Sequence, residues 1–217
     1  MMGLRVVISG AGGHGKVIAD ALFCAGAEML GFIEAGPSLA GLRVLDFPIL
    51  GDDGWLASQS RTSFAIALGI GDNEVRQRLA SAYTSAGFQL RTVIHPNAVV
   101  SRWATVGEGA SILAGAIVNP GASIGRGAII NTGAVVEHDA VVGDFAHVAP
   151  HSTLAGGAAL GALSLLGTGA SVKPSTKIGL RCIIGAGATV TEDIPDAVVA
   201  MGVPARISRS TAARAKS

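Results

Sequence analysis

The chain has few charged residues and fewer aromatic ones, at 14% and 4% of its 217 residues. Its formal net charge is only +1, so it lacks the basic surface that binds nucleic acid. The two cysteines, Cys24 and Cys182, lie in different regions and predict no disulfide framework. These deficits argue against a nucleic-acid-binding protein and against a small disulfide-stabilised domain.

Charge is missing altogether from residues 145–172, a run long enough to span a bilayer. We reject a membrane span because the run contains His147, Pro150 and His151 together with several glycines, and because it keeps the repeat described next. The sequence therefore predicts a soluble, cytoplasmic protein with no membrane partner.

A strict six-residue repeat dominates the chain from Ile94 to Val190, where every sixth residue is Ile, Leu or Val. A small residue precedes each of them by two positions. This period fits neither a helix nor a long alternating strand, and it is typical of a parallel β-helix in which three hexads close one coil. We expect the aliphatic and small residues to point inward and each coil to stack on its neighbours.

Residues 1–91 lack the six-residue repeat, and their pattern predicts a small Rossmann-like α/β domain. Expected strands at residues 4–9, 29–33 and 64–68 alternate with helices at 16–25 and 74–86, the second capped by Asp72 or Asn73. Residues 92–217 are expected to form the β-helix, ending in a C-terminal cap.

A glycine-rich loop, Gly10-x-Gly12-x-x-Gly15, follows the first strand and matches the dinucleotide fingerprint. Amides at a helix N-terminus bind phosphate oxygens, and Glu34 ends the next strand where a ribose-binding acid would lie. A P-loop is disfavoured because Val17 replaces the required Ser or Thr, and a dehydrogenase because no second mononucleotide half follows. A phosphate-binding loop is favoured, and a purely structural turn remains the alternative.

The one polar cluster within the repeat surrounds His138 and Asp139. By register His138 points outward at a corner, beside Gly156 one coil later, which leaves space for a substrate. Asp139 is predicted to raise the basicity of the imidazole. A surface histidine without function is the alternative.

His147 also faces outward, half a coil from His138, so one subunit cannot bring both to one small site. We therefore expect a trimer with its active sites at subunit interfaces. Cys182 belongs to the inward series, and a buried thiol is a poor nucleophile. We read His95 and His151 as solvated turn residues.

These motifs resemble the sialic acid O-acetyltransferase and nucleotide-sugar N-acetyltransferase family, from the Gly10–Lys16 loop through Asn131–Asp139 to Gly202-Val203-Pro204-Ala205. The resemblance implies a left-handed parallel β-helix, a homotrimer, acetyl-CoA as co-substrate and no metal.

The resemblance also implies individual roles. His138 is matched to the catalytic base and Asp139 to the acid that assists it. Residues assigned to acetyl-CoA are His147, Thr168, Ala186 and, on charge alone, Lys173. Residues assigned to the nucleotide sugar are Gly12, Gly13, His14, Glu34 and Gly71. Ala35 departs from the paired acids of many relatives, so the base of the nucleotide stays open.

The expected reaction is acetyl transfer from acetyl-CoA to the C4 amine of a nucleotide-linked 4-amino-4,6-dideoxyhexose, by direct attack. GDP-perosamine is favoured over a UDP-linked amino sugar, which implies O-antigen or other surface polysaccharide biosynthesis. O-acetylation of sialic acid or another sugar hydroxyl is one alternative. A non-catalytic scaffold that binds sugar nucleotides is the other.

Overall fold

The computed structural model describes residues 5–35 and 39–211. It divides the chain into two compact units, one ending at Pro96 and one beginning at Asn97. The boundary expected after residue 91 stays a prediction. The expected strand residue Leu4 and the basic residues Arg214 and Lys216 lie outside the described residues.

The first unit contains a five-stranded sheet with the strand order β3-β4-β2-β1-β5. Only the β3–β4 hairpin is antiparallel. The strands are β1 (Arg5–Ser9), β2 (Met29–Ile33), β3 (Arg43–Val44), β4 (Phe47–Gly51) and β5 (Phe64–Leu68). The helices are α1 (Gly13–Cys24), α2 (Asp53–Ala57) and α3 (Asn73–Ser85), and a short strand β6 (Val93–Ile94) closes the unit. The parallel strands β1, β2 and β5 end at one edge, where ligands of α/β sheets bind.

The expected strands 29–33 and 64–68 are confirmed at the same residues. Helix α1 begins at Gly13 rather than Lys16, because the end of the glycine loop already forms its first turn. Asp72 caps α3, with its carboxylate accepting a hydrogen bond from the Val75 amide at 2.9 Å. The hairpin β3–β4 and helix α2 were not predicted.

The second unit is the expected parallel β-helix, built from two-residue strands in three sheets. Sheet I contains β7 (Val99–Val100), β10 (Ile117–Val118), β13 (Val135–Val136), β16 (Thr153–Leu154), β19 (Ser171–Val172) and β22 (Thr189–Val190). Sheet II contains β8 (Thr105–Val106), β11 (Ser123–Ile124), β14 (Val141–Val142), β17 (Ala159–Leu160) and β20 (Lys177–Ile178). Sheet III contains β9 (Ser111–Ile112), β12 (Ile129–Ile130), β15 (His147–Val148), β18 (Leu165–Leu166), β21 (Ile183–Ile184), β23 (Val198–Met201) and β24 (Arg206–Ser210).

Each strand from β7 to β22 pairs with the strand eighteen residues away, as Ile117 with Val135 and Ile129 with His147. The inward aliphatic and small residues form one continuous core, which includes Cys182. The last strand, β24, pairs antiparallel with β23. In the described part of the chain, no helix combines the length and apolarity that crossing a bilayer requires.

Two expectations at the start of the repeat were wrong. Ile94 is 41% exposed and Val93 is the buried residue of β6, because this strand packs against α1 in the first unit. The next residue, His95, is only 7% exposed and is not a solvated turn residue. His151 is exposed, as expected.

Candidate active site

His138 lies at the corner between sheets I and II, after β13 and before β14. Backbone hydrogen bonds to the coils on both sides fix this corner. The Asp139 amide donates to the Pro120 carbonyl at 3.1 Å, and the Gly157 amide donates to the His138 carbonyl at 2.9 Å. The imidazole therefore projects outward from a rigid backbone.

Asp139 orients the His138 ring. Its Oδ2 atom lies 2.9 Å from Nδ1 of His138. An ionised carboxylate only accepts hydrogen bonds, so Nδ1 carries the proton and Nε2 is left as the basic nitrogen. This hydrogen bond, with the negative charges of Asp139 and Glu137, raises the pKa of His138 above its ordinary value against the opposing effect of desolvation.

The backbone of Asp139 is in the left-handed region, with φ of 58°. The equivalent corner positions one coil before and after are Gly121 and Gly157, with φ of 76° and 66°. Asp is one of the few residues that tolerate this conformation. A Cβ on Gly121 would lie 2.4 Å from Oδ1 of Asp139, so glycine there makes room for the carboxylate.

Gly156 leaves the space on the other side of the ring, as the register predicted. A Cβ at this position would lie 2.5 Å from Nε2 of His138. Glycine at this position thus makes room for the imidazole ring itself, and the side chain of His138 stays 65% exposed, so a substrate group can reach it from solvent.

His147 lies in β15 of sheet III, the face opposite the corner that holds His138. Its Nε2 atom is 3.0 Å from Nδ2 of Asn131. Oδ1 of Asn131 accepts from the Thr132 amide at 2.8 Å, which directs the amide NH₂ group toward the ring. Because that group only donates, Nε2 of His147 is the acceptor. Asn131 was within the predicted polar cluster, but its contact with His147 was not foreseen.

The residues assigned to acetyl-CoA occupy three different places on one chain. His147 is on sheet III, whereas Thr168 and Ala186 are exposed on the corner between sheets III and I. Those two stack directly, since the Gly187 amide donates to the Thr168 carbonyl at 2.9 Å. Lys173 follows β19 and is exposed on the His138 corner, two coils further on. The residues that project from one corner are therefore Lys173, His138 and Asp139.

In the first unit, the glycine loop joins β1 to α1 at the carboxyl edge of the sheet. Gly10 has φ of 98°, and a Cβ on Gly15 would lie 2.0 Å from the Gly10 carbonyl oxygen, so both glycines are needed for the turn itself. Gly12 and Gly13 differ, because a Cβ on either would meet nothing within 4 Å. The open space beside them, at the N-terminus of α1, fits a phosphate group.

Glu34 supports this loop in the structure. Its two carboxylate oxygens accept hydrogen bonds from the Ala11 amide at 2.7 Å and from the Ala35 amide at 3.0 Å. The Glu34 carboxylate thus holds the glycine loop against the end of β2. Glu34 itself lies at the end of β2, as the sequence predicted.

His14 and Gly71 lie side by side, with a Cβ on Gly71 expected 3.9 Å from Cβ of His14. Burial, followed by the charge of Arg76, lowers the pKa of His14 to about 4. His14 is therefore neutral at pH 7.

Arg76, a fully buried arginine on α3, was not predicted as a site residue. Its guanidinium donates to the carbonyls of Ile70 and Gly71 at 3.1 and 3.0 Å and to Oδ1 of Asn73 at 2.8 Å. Burial lowers its pKa to about 10, against the opposing charge of Asp72, so it stays protonated at pH 7. Arg76 fixes the loop after β5, and only its spacing from the capping Asp72 could have indicated this role.

Burial raises the pKa of the Cys182 thiol. A thiol that resists ionisation is a poor nucleophile, which agrees with the expectation of direct transfer without an acyl-enzyme.

The chain is a left-handed β-helix protein of the hexapeptide-repeat transferase class with a second, α/β unit. The PglD N-terminal domain model matches residues 5–83, and the bacterial transferase hexapeptide model matches residues 121–156. The chain belongs to the family of acetyl-CoA-dependent sugar N-acetyltransferases that share these two domains.

Several solved structures match nearly the whole chain. The acetyltransferase domain of PglB from Neisseria gonorrhoeae FA1090, in complex with acetyl coenzyme A, is 35% identical to this chain with a TM-score of 0.90. The match covers 95% of this chain and 100% of that domain's chain. A histidine-to-asparagine variant of perosamine N-acetyltransferase from Caulobacter crescentus, in complex with CoA and GDP-perosamine, is 43% identical to this chain with a TM-score of 0.90. The match covers 94% of this chain and 96% of that one.

Among curated proteins, UDP-N-acetylbacillosamine N-acetyltransferase from Bacillus subtilis (strain 168) is 38% identical in an alignment that covers 51% of this chain and 51% of that protein. The match spans about half the length of this curated relative and about a fifth of another.

Proposed function

We propose that the protein transfers acetyl from acetyl-CoA to the C4 amine of a nucleotide-linked 4-amino-4,6-dideoxyhexose, with GDP-perosamine as the favoured acceptor. The observation that carries this proposal is His138, held by Asp139 with its Nε2 atom facing the bare backbone of Gly156. The 43% identity to a perosamine N-acetyltransferase favours the GDP-linked sugar over a UDP-linked one.

In the proposed reaction the amine nitrogen attacks the thioester carbonyl carbon while Nε2 of His138 takes a proton from that nitrogen. Asp139 stabilises the imidazolium that forms, without taking its proton. The carbon–sulfur bond then breaks, the sulfur leaves with its electron pair, and the imidazolium returns a proton to it. The products are the N-acetylated sugar nucleotide and CoA.

Acetyl-CoA is assigned to His147, Thr168 and Ala186, with Lys173 on a CoA phosphate. Exposed positions on the corner fit an extended ligand that lies along the coils, and Lys173 supplies a cation for phosphate. Because His138 and His147 lie on opposite sides of one chain, we infer a homotrimer in which neighbouring subunits complete each site.

The nucleotide diphosphate is assigned to the amides near Gly12 and Gly13, with His14, Glu34 and Gly71 around the ribose and base. Neutral His14 presents a hydrogen-bonding group without repelling or attracting phosphate, which leaves the anion to the helix N-terminus. We place this reaction in the cytoplasm, in the synthesis of O-antigen or another surface polysaccharide.

Two other functions remain as competitors. O-acetylation of sialic acid or another sugar would use the same base, but it gives the open glycine loop no role. A non-catalytic scaffold gives no role to the His138–Asp139 pair.

Release of free CoA thiol from acetyl-CoA tests the proposal, with GDP-perosamine, a UDP-linked 4-amino-4,6-dideoxyhexose and free sialic acid as separate acceptors. We expect turnover with GDP-perosamine, and an amide product at C4 by mass spectrometry and NMR. Turnover with sialic acid alone would contradict the proposal, as would an ester product. No turnover with any acceptor would favour the scaffold.

A further inference from the structure

Three potential metal ligands converge in the first unit, on the side of α1 that packs near β6. Asp20 and Cys24 are four residues apart on α1 and so lie on the same face of the helix. His95 follows β6, which packs against α1. One ligand atom from each residue lies within 4.8 Å of the other two.

We propose that Asp20, Cys24 and His95 bind Zn²⁺, with a water as the fourth ligand. Thiolate, imidazole and carboxylate are the three side-chain groups that zinc binds in proteins. Mg²⁺ and Ca²⁺ are disfavoured, since they prefer oxygen ligands alone.

The spacing of the three ligand atoms is close to that of a zinc site with the metal bound. Zinc–ligand distances of about 2.0–2.3 Å place the ligand atoms of a tetrahedral site about 3.3–3.8 Å apart. The side chains of Asp20 and Cys24 are exposed, and Cys24 is a free thiol, so small rotations about their χ angles close the remaining gap. His95 is buried and supplies the fixed ligand.

Zinc binding displaces the thiol proton of Cys24 to solvent, so affinity rises with pH. The bound ion would link the last turn of α1 to the segment after β6. Acetyl transfer in this family needs no metal, so the role of the site is structural and lies outside the chemistry at His138.

Titration of the metal-free full chain with Co²⁺ tests the site, because a thiolate bound to cobalt gives a charge-transfer absorption that other ligands do not. We expect this absorption at one equivalent of Co²⁺ and its loss when Zn²⁺ is added. Cys24→Ser should abolish it, and Asp20→Asn should weaken Co²⁺ binding at least tenfold. Cys182→Ala is the matched control, which removes the other thiol and should leave the absorption in place.

Alkylation of Cys24 provides a second measurement that needs no substitution of the buried His95. Zn²⁺ should slow the reaction of Cys24 with iodoacetamide in the wild-type chain, and at least tenfold more Zn²⁺ should be needed for the same protection in Asp20→Asn. A wild-type chain without the charge-transfer absorption, or one whose alkylation rate ignores Zn²⁺, would show a hydrogen-bonded cluster instead of a metal site. Acetyl-CoA is left out of both experiments, so their result is independent of the proposed acetyl transfer.

Discussion

A Cβ on Gly156 would lie 2.5 Å from Nε2 of His138, one coil away. No positive φ holds glycine at this position, so its small size is the feature that matters. We expect Gly156→Ala to fold normally and to lower kcat at least about tenfold, or about 1.4 kcal/mol, because the methyl group displaces the ring from the acceptor amine. Steady-state kinetics with a thermal melt would measure both effects. An unchanged kcat would mean that the ring position set by Gly156 does not matter for the reaction.

Asp139 determines the pH dependence of activity in our account. A general base acts in its neutral form, so the rate rises with pH through the pKa of His138, which Asp139 raises. In Asp139→Asn the pKa falls, and we expect the rising limb of the kcat profile to move to lower pH while the plateau value drops. Asn tolerates the left-handed backbone of residue 139, which keeps the corner intact. If the rising limb of the kcat profile stays at the same pH in Asp139→Asn, the pH dependence of the rate does not come from His138.

The glycine loop offers a matched pair of substitutions. Gly13→Ala meets no atom within 4 Å, so we expect stability to change by less than about 0.5 kcal/mol while KM for the sugar nucleotide rises. Gly15→Ala places a Cβ 2.0 Å from the Gly10 carbonyl oxygen, so it should destabilise the first unit by about 2–3 kcal/mol. Thermal melts and KM values for both substrates distinguish them. An unchanged KM for the sugar nucleotide in Gly13→Ala would contradict the assignment of the phosphate to this loop.

Mixed trimers test whether neighbouring subunits share a site. His138→Asn and His147→Ala chains should each lose most of their activity alone. In trimers formed at random from equal amounts, about a quarter of the sites would combine an intact His138 with an intact His147 from the neighbour. We therefore expect co-expression to restore about a quarter of wild-type kcat per chain. Activity no greater than the sum of the two separate variants would place both histidines outside a shared site.

Much of the His138 corner could be predicted from the hexad alone. The eighteen-residue register identified Gly156 as the neighbour of His138, and the inward series identified Cys182 as buried. These predictions succeed because the backbone pairing between coils of a solenoid lies at a fixed sequence separation.

Contacts that depend on packing between helices and sheet were not predictable. The burial of Arg76 and His95 and the convergence of Asp20 and Cys24 with His95 arise only when α1, α3 and β6 have packed. Val93 replaces Ile94 as the buried residue of β6 for the same reason. The Asn131–His147 contact was also missed, because it crosses adjacent coils sixteen residues apart rather than eighteen.

The central claim is that His138 is the general base, and His138→Asn tests it most directly. With the acceptor that turns over, we expect kcat to fall by about 10²–10⁴ while KM for both substrates changes little. His151→Asn is the matched control. His151 is an exposed turn histidine on the corner that carries Thr168 and Ala186, so any effect should fall on KM for acetyl-CoA while kcat keeps its wild-type value. Wild-type kcat in His138→Asn would contradict the account.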